Sequence, residues 1–267
     1  MRGHLYEGGV PITGRESLRD CINYLRQGAK YKWIPGRLYY RYRSHKYMQA
    51  IDPEMGLLKF LIDRSKLSLD VGANLGLYTY YLARYSSHVH AFEPNPLAFD
   101  VLRSVVDANV TLHQVALSDQ TTDHAELVVP RGRRGWSNNG ASLTRAKEGR
   151  YGIARVAAKR IDDLVLDEIG FIKIDVEGHE LSVLHGATET LRRQRPVLFL
   201  ENEHAHVGSA TEAVFALLRS LEYDGFFLAG GVLRNVSHFD VQRFQIEPRA
   251  HPQLGGHYVK NFIFLPR

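Results

Sequence analysis

Acidic side chains stand at the ends of short apolar stretches in this sequence, where strands are expected to end. Asp70 comes just before two glycines, Gly72 and Gly76, and Glu93 follows the next apolar stretch. Glycines let a backbone approach a ligand closely, and an acid about 20 residues beyond such a turn is typical of a carboxylate that binds ribose hydroxyls. The pattern therefore predicts a site for a ligand that contains a nucleoside.

A later apolar stretch, residues 171–174, delivers Asp175 at its end, and Glu177 follows two positions later. Alternate side chains point to the same face of a strand, and ligands of open α/β sheets bind at the carboxyl ends of the strands. We therefore expect both carboxylates to face the predicted site. Glu180, by contrast, begins a helical pattern, where a carboxylate favours the helix dipole.

The elements that must position these acids alternate along the chain from residue 67 onward. Short apolar strands alternate with amphipathic helical stretches, which predicts a mainly parallel sheet with helices on both faces. The last two strands, near 225–229 and 259–265, have no clear helix between them, and we expect an antiparallel pair at an edge of the sheet. The other predicted elements are strands 89–92 and 110–115 and helices 96–108, 180–194 and 211–221.

Residues 123–160 interrupt this alternation. Two further strands, around 125–129 and 153–158, flank a loop at about 130–150 that is rich in glycine, arginine and asparagine. Long irregular insertions in compact domains are more often functional than idle. We interpret this loop as a lid or an acceptor-binding loop, with a merely mobile connection as the alternative.

Residues 1–64 are predicted to form a mostly helical N-terminal extension of a domain at 65–267. Apolar residues recur at helical spacing around 18–25 and 57–62. Between them, residues 30–47 are rich in lysine, arginine and tyrosine and contain no acid. Such a segment either packs its rings on the core with its cations in water, or forms a patch for an acceptor or a membrane surface. The extension is also a candidate to mediate a homodimer.

Composition and charge exclude only a few classes of protein. The formal net charge of +5 and the pI near 9.2 suit an anionic partner but do not establish nucleic-acid binding. No apolar run approaches the roughly 18 residues of a membrane helix, and the first residues lack the apolar core of a signal peptide, so we expect a cytoplasmic protein. The single cysteine, Cys21, cannot form an intramolecular disulfide or a multi-cysteine zinc site.

Four stretches together resemble the FkbM family of S-adenosylmethionine-dependent methyltransferases. They are residues 70–76, 92–95, 115–119 and 172–180, and the last is the most specific. The resemblance covers residues 67 to about 201. It implies an α/β class I methyltransferase (Rossmann-like) fold with a seven-stranded, mostly parallel sheet and one antiparallel strand. It also implies methyl transfer to an oxygen, commonly a hydroxyl of a sugar, a polysaccharide or a glycosylated natural product.

The resemblance implies S-adenosylmethionine as the cofactor. Asp70 and the turn at 72–76 would hold its methionine part, Glu93 its ribose, and residues 116–119 would border its adenine. Asp70 would repel an anionic pyrophosphate but not a cationic sulfonium, which favours S-adenosylmethionine over NAD. The predicted cofactor-binding residues are Asp70, Gly72, Ala73, Asn74, Gly76, Tyr78, Glu93, Asn95, Ala116, Asp119 and Asp175.

Sugar hydroxyls are very weak acids, so methyl transfer to them needs a base or a metal ion. Asp175 and Glu177 are the first candidates for the base. Imidazoles titrate near neutral pH, so the second candidates are His179, His204 and His206. Alternatively, the two carboxylates and Glu201 bind a divalent metal ion that lowers the pKa of the hydroxyl. Because the spacing does not demand such a site, no metal ligand is predicted.

Two other functions stay open at the level of sequence. The basic excess and the tyrosine-rich segment 30–47 suit a nucleic-acid methyltransferase, although residues 175–178 differ from the Asn-Pro-Pro-Tyr type of element that many base amino-methyltransferases carry. The second alternative is a catalytically silent scaffold that only binds the cofactor. The expected partner is a small-molecule or glycan acceptor, and no sequence rule converts the variable regions into its identity.

Overall fold

The structure is a computed structural model that describes residues 36–48, 53–132, 135–136, 140–143, 151–204, 210–251 and 257–267. The predicted helical run around 18–25, Cys21 and His206 lie outside these described residues, as does most of the loop at 130–150.

The strands form a large central sheet and a small second one. In chain order they are β1 (Leu67–Val71), β2 (His88–Phe92), β3 (Val110–His113), β4 (Ala116–Leu117), β5 (Thr122–Gly132), β6 (Gly135–Trp136), β7 (Tyr151–Lys159), β8 (Ile169–Ile174), β9 (Val197–Glu201), β10 (Tyr223–Ala229), β11 (Val232–Asn235) and β12 (Asn261–Pro266). Within the described part of the chain, the central sheet has eight strands in the order β11-β10-β12-β9-β8-β1-β2-β3, and the second sheet has the order β4-β7-β5-β6.

Helices cover both faces of the central sheet, as predicted. They are α1 (Gly36–Met48), α2 (Leu58–Leu61), α3 (Leu77–Tyr85), α4 (Pro96–Arg103), α5 (Glu180–His185), α6 (Thr188–Gln194), α7 (Ala210–Ser220) and α8 (Glu247–Ala250). Side chains alternate between two apolar clusters along β8, since Phe171 packs with α2 to α4 and Ile172 with α5 to α7. Burial on both faces explains why β8 and β9 read as nearly continuous apolar runs.

Five neighbouring strands run parallel: β3, β2, β1, β8 and β9. Their carboxyl ends therefore meet at one edge of the sheet, which brings the turn after β1 beside Glu93, Asp175 and Glu201. The fold thus assembles acids that lie far apart in the sequence.

The antiparallel part of the sheet differs in detail from the expectation. Strands β10 and β12 pair antiparallel, as predicted, but β12 also pairs antiparallel with β9 and so lies inside the sheet. The antiparallel edge strand is β11, which the sequence analysis did not identify. It joins β10 through Gly230 and Gly231, whose positive φ angles of 62° and 75° suit a tight hairpin turn. The seven expected strands are present, and β11 is added to them.

Several element boundaries also differ. Helix α4 ends at Arg103 instead of 108, and the predicted strand 110–115 ends at His113 because residues 116–117 pair with β7 in the second sheet. The predicted helix 180–194 is two helices that break around Gly186, where a Cβ atom would lie 1.9 Å from the Ser118 carbonyl oxygen. The two predicted strands of the insertion are confirmed as β5 and β7, and the structure shows that they pair antiparallel.

The described part of the N-terminal extension is helical, as expected. In α1, the side chain of Tyr40 is buried, whereas Arg41 and Tyr42 are exposed. The packing interpretation of segment 30–47 therefore holds for Tyr40 but not for every ring. No helix within the described ranges is long and apolar enough to cross a membrane.

Candidate active site

A cavity of about 500 Å³ opens at the carboxyl edge of the parallel strands. Its walls come from the turns after β1, β2 and β8, from the ends of β4 and β9, and from residues 140–143 of the insertion. Helix α1 contributes Arg43 and the segment before β12 contributes Lys260. The acids and cations on these walls define what the cavity can bind.

The turn after β1 is built by backbone hydrogen bonds and two glycines. The N–H groups of Gly72 and Ala73 both donate to the Phe92 carbonyl oxygen at 3.0 Å. Gly72 has a φ of 79°, and a Cβ atom on it would lie 1.9 Å from the Asp175 carbonyl oxygen. A close approach to the backbone after β8 therefore demands glycine at position 72.

Glu93 is fixed at the end of β2 by two backbone amides. Its Oε2 accepts from the Asn74 N–H at 2.6 Å and its Oε1 from the Asn95 N–H at 2.8 Å. Burial raises the pKa of Glu93 to about 7, although these hydrogen bonds oppose the shift. A carboxylate oxygen has more than one acceptor position, so Glu93 can still accept hydroxyl hydrogens from the cavity.

Asp70 lies beneath the cavity and not on its wall. It is fully buried, accepts from the Thr79 hydroxyl at 2.5 Å, and lies 3.9 Å from the Lys173 ammonium. Burial raises its pKa, against the opposing effects of Lys173 and Thr79. Because the Lys173 ammonium lies beside this carboxylate, the negative charge of Asp70 is opposed by a neighbouring positive charge and does not by itself discriminate against a pyrophosphate.

Lys173 is a central cation that the sequence analysis overlooked. Its buried ammonium lies 3.0 Å from Asp175 Oδ2 and 4.7 Å from the ring centroid of Tyr78. Burial by itself would lower the pKa of Lys173. The negative charges of Asp175 and Asp70 together raise this pKa by more than burial lowers it, so the net shift is upward. A lysine inside an otherwise apolar strand was the available signal, since such a residue is rarely buried without a partner.

Glu201 and Lys260 form a second pair on the same wall, with 2.9 Å between Lys260 Nζ and Glu201 Oε2. Burial and then the charge of Asp175 raise the pKa of Glu201 to about 8. Together with Lys173 and Asp175 they make up what we call the acid–lysine cluster. No local sequence pattern pointed to Lys260, because its partner, Glu201, is 59 residues away.

The other predicted bases are placed differently. Glu177 lines the cavity, with a φ of 53° that puts it beyond the regular strand, and its carbonyl oxygen accepts from Ser142 Oγ at 2.9 Å. His179 also lines the cavity, with Nε2 2.8 Å from Ser118 Oγ. Burial lowers the pKa of His179, with Asp119 opposing, which favours the neutral imidazole.

Some predicted site residues lie outside the cavity wall. Asn95 is buried and caps α4 through the Leu97 N–H at 3.1 Å. His204 donates its backbone N–H to Gln245 at 2.7 Å and does not line the cavity, so its predicted catalytic role gains no support. Gly76 and Asp119 are also absent from the wall. The predicted residues that do line it are Gly72, Ala73, Asn74, Tyr78, Glu93, Ala116, Asp175, Glu177 and His179.

The alternative of a metal site gains no support either. Among the described residues, no group of three or more histidine, cysteine or acidic side chains is arranged to hold a metal ion. Asp175 and Glu201 pair with Lys173 and Lys260 instead, and an ammonium occupies the place that a cation would take at each carboxylate.

Strand order and the antiparallel β12 between β9 and β10 define a class I methyltransferase fold. Within that class, residues 70–225 match the model of the Methyltransferase FkbM domain, which is more than half of the chain. The protein therefore belongs to the FkbM methyltransferase family, as the four sequence stretches predicted.

The individual curated relatives match only part of this chain, and they do so at low sequence identity. The chain is 26% identical to the hexuronic acid methyltransferase AglP of Haloferax volcanii over 52% of this chain and 58% of that protein. It is 31% identical to the methyltransferase sdnD of Sordaria araneosa over 45% of this chain and 60% of that protein. The matched region thus spans less than two thirds of these curated relatives.

Solved structures match this chain at low sequence identity. A methyltransferase FkbM from Methylobacillus flagellatus is 17% identical, with a TM-score of 0.45 over 75% of this chain and 44% of that one. The putative methyltransferase SMU.1697c of Streptococcus mutans, solved with S-adenosylhomocysteine, is 11% identical, with a TM-score of 0.45 over 80% and 96% of the two chains.

Proposed function

We propose that this protein is an S-adenosylmethionine-dependent O-methyltransferase that acts on a hydroxyl of a sugar or a glycosylated acceptor. The observation that carries the proposal is the position of Glu93. Its carboxylate is held by the Asn74 and Asn95 amides beside the two-glycine turn, on the wall of a cavity that also contains the acid–lysine cluster.

The cavity fits such a cofactor in size and in chemistry. Its volume of about 500 Å³ lies within the range of small-molecule sites, roughly 300–1,000 Å³. Glu93 offers acceptors for the ribose hydroxyls, and Asn74 and Tyr78 border the space for the amino-acid part. Ala116 and Leu117, at the end of the cavity nearest the second sheet, provide an apolar border for the adenine. When bound, S-adenosylmethionine supplies an electrophilic methyl group.

Asp175 is the base that this geometry favours. Its side chain is about one-quarter exposed, lines the cavity, and stands where ligands of parallel sheets bind. Lys173 balances its charge and fixes its orientation. An acceptor hydroxyl that donates to Asp175 would transfer its proton to that carboxylate as the new oxygen–carbon bond forms. The remaining work of the site is alignment, which can itself lower a barrier by several kcal/mol.

Two features support a sugar-like acceptor. The cavity wall carries the two charged pairs of the acid–lysine cluster, which suits an acceptor with several hydroxyls, because each hydroxyl can find a donor or an acceptor. The Haloferax volcanii relative is described as a hexuronic acid methyltransferase.

Two measurements test the proposal in order. Isothermal titration should show binding of S-adenosylmethionine and S-adenosylhomocysteine, and a purified protein that binds neither would end the proposal. Transfer of a labelled methyl group should then be screened over a panel of glycans and hexuronic acids, with RNA and DNA in parallel. Label on nucleic acid but on no glycan would contradict the assigned acceptor class.

A further inference from the structure

Arg43 stands out among the cations of the cavity wall. The other lysine or arginine side chains that the described residues place there, Lys173 and Lys260, each lie within 3.0 Å of a carboxylate oxygen, on Asp175 and Glu201 respectively. Arg43 has no carboxylate partner among the described residues. Its Nη2 donates to the Leu75 carbonyl oxygen at 2.8 Å, which satisfies one of the five N–H donors of a guanidinium.

The position of Arg43 is fixed by how α1 docks on the rest of the domain. The buried Tyr40 hydroxyl donates to the Gly76 carbonyl oxygen at 2.6 Å, and the Tyr81 hydroxyl donates to the Ser44 carbonyl oxygen at 3.2 Å. The rings of Tyr40 and Tyr80 pack edge to face at 5.3 Å. These contacts bracket Arg43 and hold its half-buried side chain against the turn at 72–76.

A half-buried cation that faces a cavity without a counter-ion favours an anionic ligand group. The turn beside Arg43 is the part of the wall that follows β1, next to Glu93. In a nucleoside-linked amino acid whose ribose lies on Glu93, the anionic group is the α-carboxylate. A guanidinium suits this group because its planar fork can donate two parallel hydrogen bonds to one carboxylate.

We propose that Arg43 binds the carboxylate of the amino-acid part of the cofactor, so that the N-terminal extension completes the cofactor site. This inference rests on the proposed function. It gives two residues of the basic, aromatic segment specific roles: Tyr40 docks the helix, and Arg43 binds the anionic group of the ligand.

Binding measurements with two ligands test this assignment without any turnover. The ligands are S-adenosylhomocysteine and its decarboxylated form, which keeps the amine and the nucleoside. Arg43→Gln should weaken binding of S-adenosylhomocysteine about 10- to 100-fold, as expected for a lost charged hydrogen bond, and change binding of the decarboxylated ligand less than about twofold. Arg43→Lys should recover part of the loss, since it keeps the charge but not the fork.

Arg41→Gln is the matched control, because Arg41 lies on the same helix, carries the same charge and is exposed. It should leave both affinities unchanged. Equal losses for both ligands in Arg43→Gln would indicate disturbed docking of α1 and overturn the assignment, as would an unchanged affinity for S-adenosylhomocysteine. Failure of the wild-type protein to bind either ligand would instead refute the proposed function itself.

Discussion

The two sides of the cavity are held in place by different interactions. On one side, the turn at 72–76 and Glu93 are fixed by backbone amides, and the partners Asn74 and Glu93 are 19 residues apart. On the other side, the acid–lysine cluster is fixed by side chains that pair with one another, and Glu201 and Lys260 are 59 residues apart. The first arrangement follows from one strand–turn–helix–strand unit, whereas the second exists only after the whole sheet has formed.

Of the two sides of the cavity, we expect the glycine turn to tolerate substitution least, because its backbone leaves no room for a side chain at position 72. Gly72→Ala adds a Cβ atom 1.9 Å from the Asp175 carbonyl oxygen at a φ of 79°. Backbone strain and overpacking together should lower the free energy of unfolding by roughly 2–5 kcal/mol. Urea denaturation measures the change. The matched control is Gly56→Ala, where a Cβ atom meets nothing within 4 Å. Equal stabilities of the two variants would refute the described contact between the turn and β8.

A change in the acid–lysine cluster should affect turnover more than cofactor binding. Asp175→Asn keeps the shape but removes the carboxylate that we propose as the base, so kcat should fall about 100-fold or more. Affinity for S-adenosylhomocysteine should change by less than about fivefold, because Glu93 and the turn are untouched. The control is Asp167→Asn, whose side chain is 82% exposed. An Asp175→Asn variant with normal kcat would exclude Asp175 as the base and would leave Glu177 and Glu201 as the candidates.

Glu93→Gln should have the opposite signature, with weaker binding of S-adenosylhomocysteine by about tenfold. The pKa of Glu93 is raised to about 7 by burial, and the ionised carboxylate accepts hydroxyl hydrogens better than the acid. Wild-type affinity should therefore rise between pH 6 and pH 8, and Glu93→Gln should flatten that rise. Titration calorimetry at both pH values checks this, with the exposed Glu126→Gln as control. If the affinity of Glu93→Gln rose equally between pH 6 and pH 8, a group other than Glu93 would be responsible for the pH dependence.

The smallest predicted effect is a pH dependence of stability from Glu201. Burial and Asp175 raise its pKa from an ordinary 4.5 to about 8 in the folded protein. The folded state therefore binds this proton more tightly, so the stabilisation is complete below pH 4.5 and is lost as the pH rises through 8. Glu201→Gln should reduce the fall in unfolding free energy between pH 5 and pH 8 by at least about 1 kcal/mol. Denaturation curves at both pH values measure this change. An equal fall in the unfolding free energy of the wild type and of the variant would contradict the prediction.

The sequence was most informative where a general rule of parallel sheets places a residue. The glycine turn, Glu93 and Asp175 were placed correctly on one sheet edge, because parallel strands bring their carboxyl ends together whatever packs around them. Asp70 was predicted to bind the cofactor, and its position in β1 turns its side chain under the turn, toward Thr79 and Lys173, and off the cavity wall.

Residues that depend on long-range packing were missed. Lys260 reaches Glu201 only because β12 inserts between β9 and β10, a placement that no local pattern encodes. Arg43 lay in a segment whose bias was evident, but the choice of which cation faces the cavity depends on the hydrogen bond between Tyr40 and Gly76.

By itself, then, the sequence determined the family, the alternation of strands and helices, and three acids that border the cavity, Glu93, Asp175 and Glu177. These follow from periodicity and from backbone requirements that act over a few dozen residues. Only the tertiary structure decided which cations meet which carboxylates, and that Gly72 is needed for contact with β8. Ion pairs and close backbone contacts between distant strands depend on a few ångströms of placement, which the packing of the complete sheet sets.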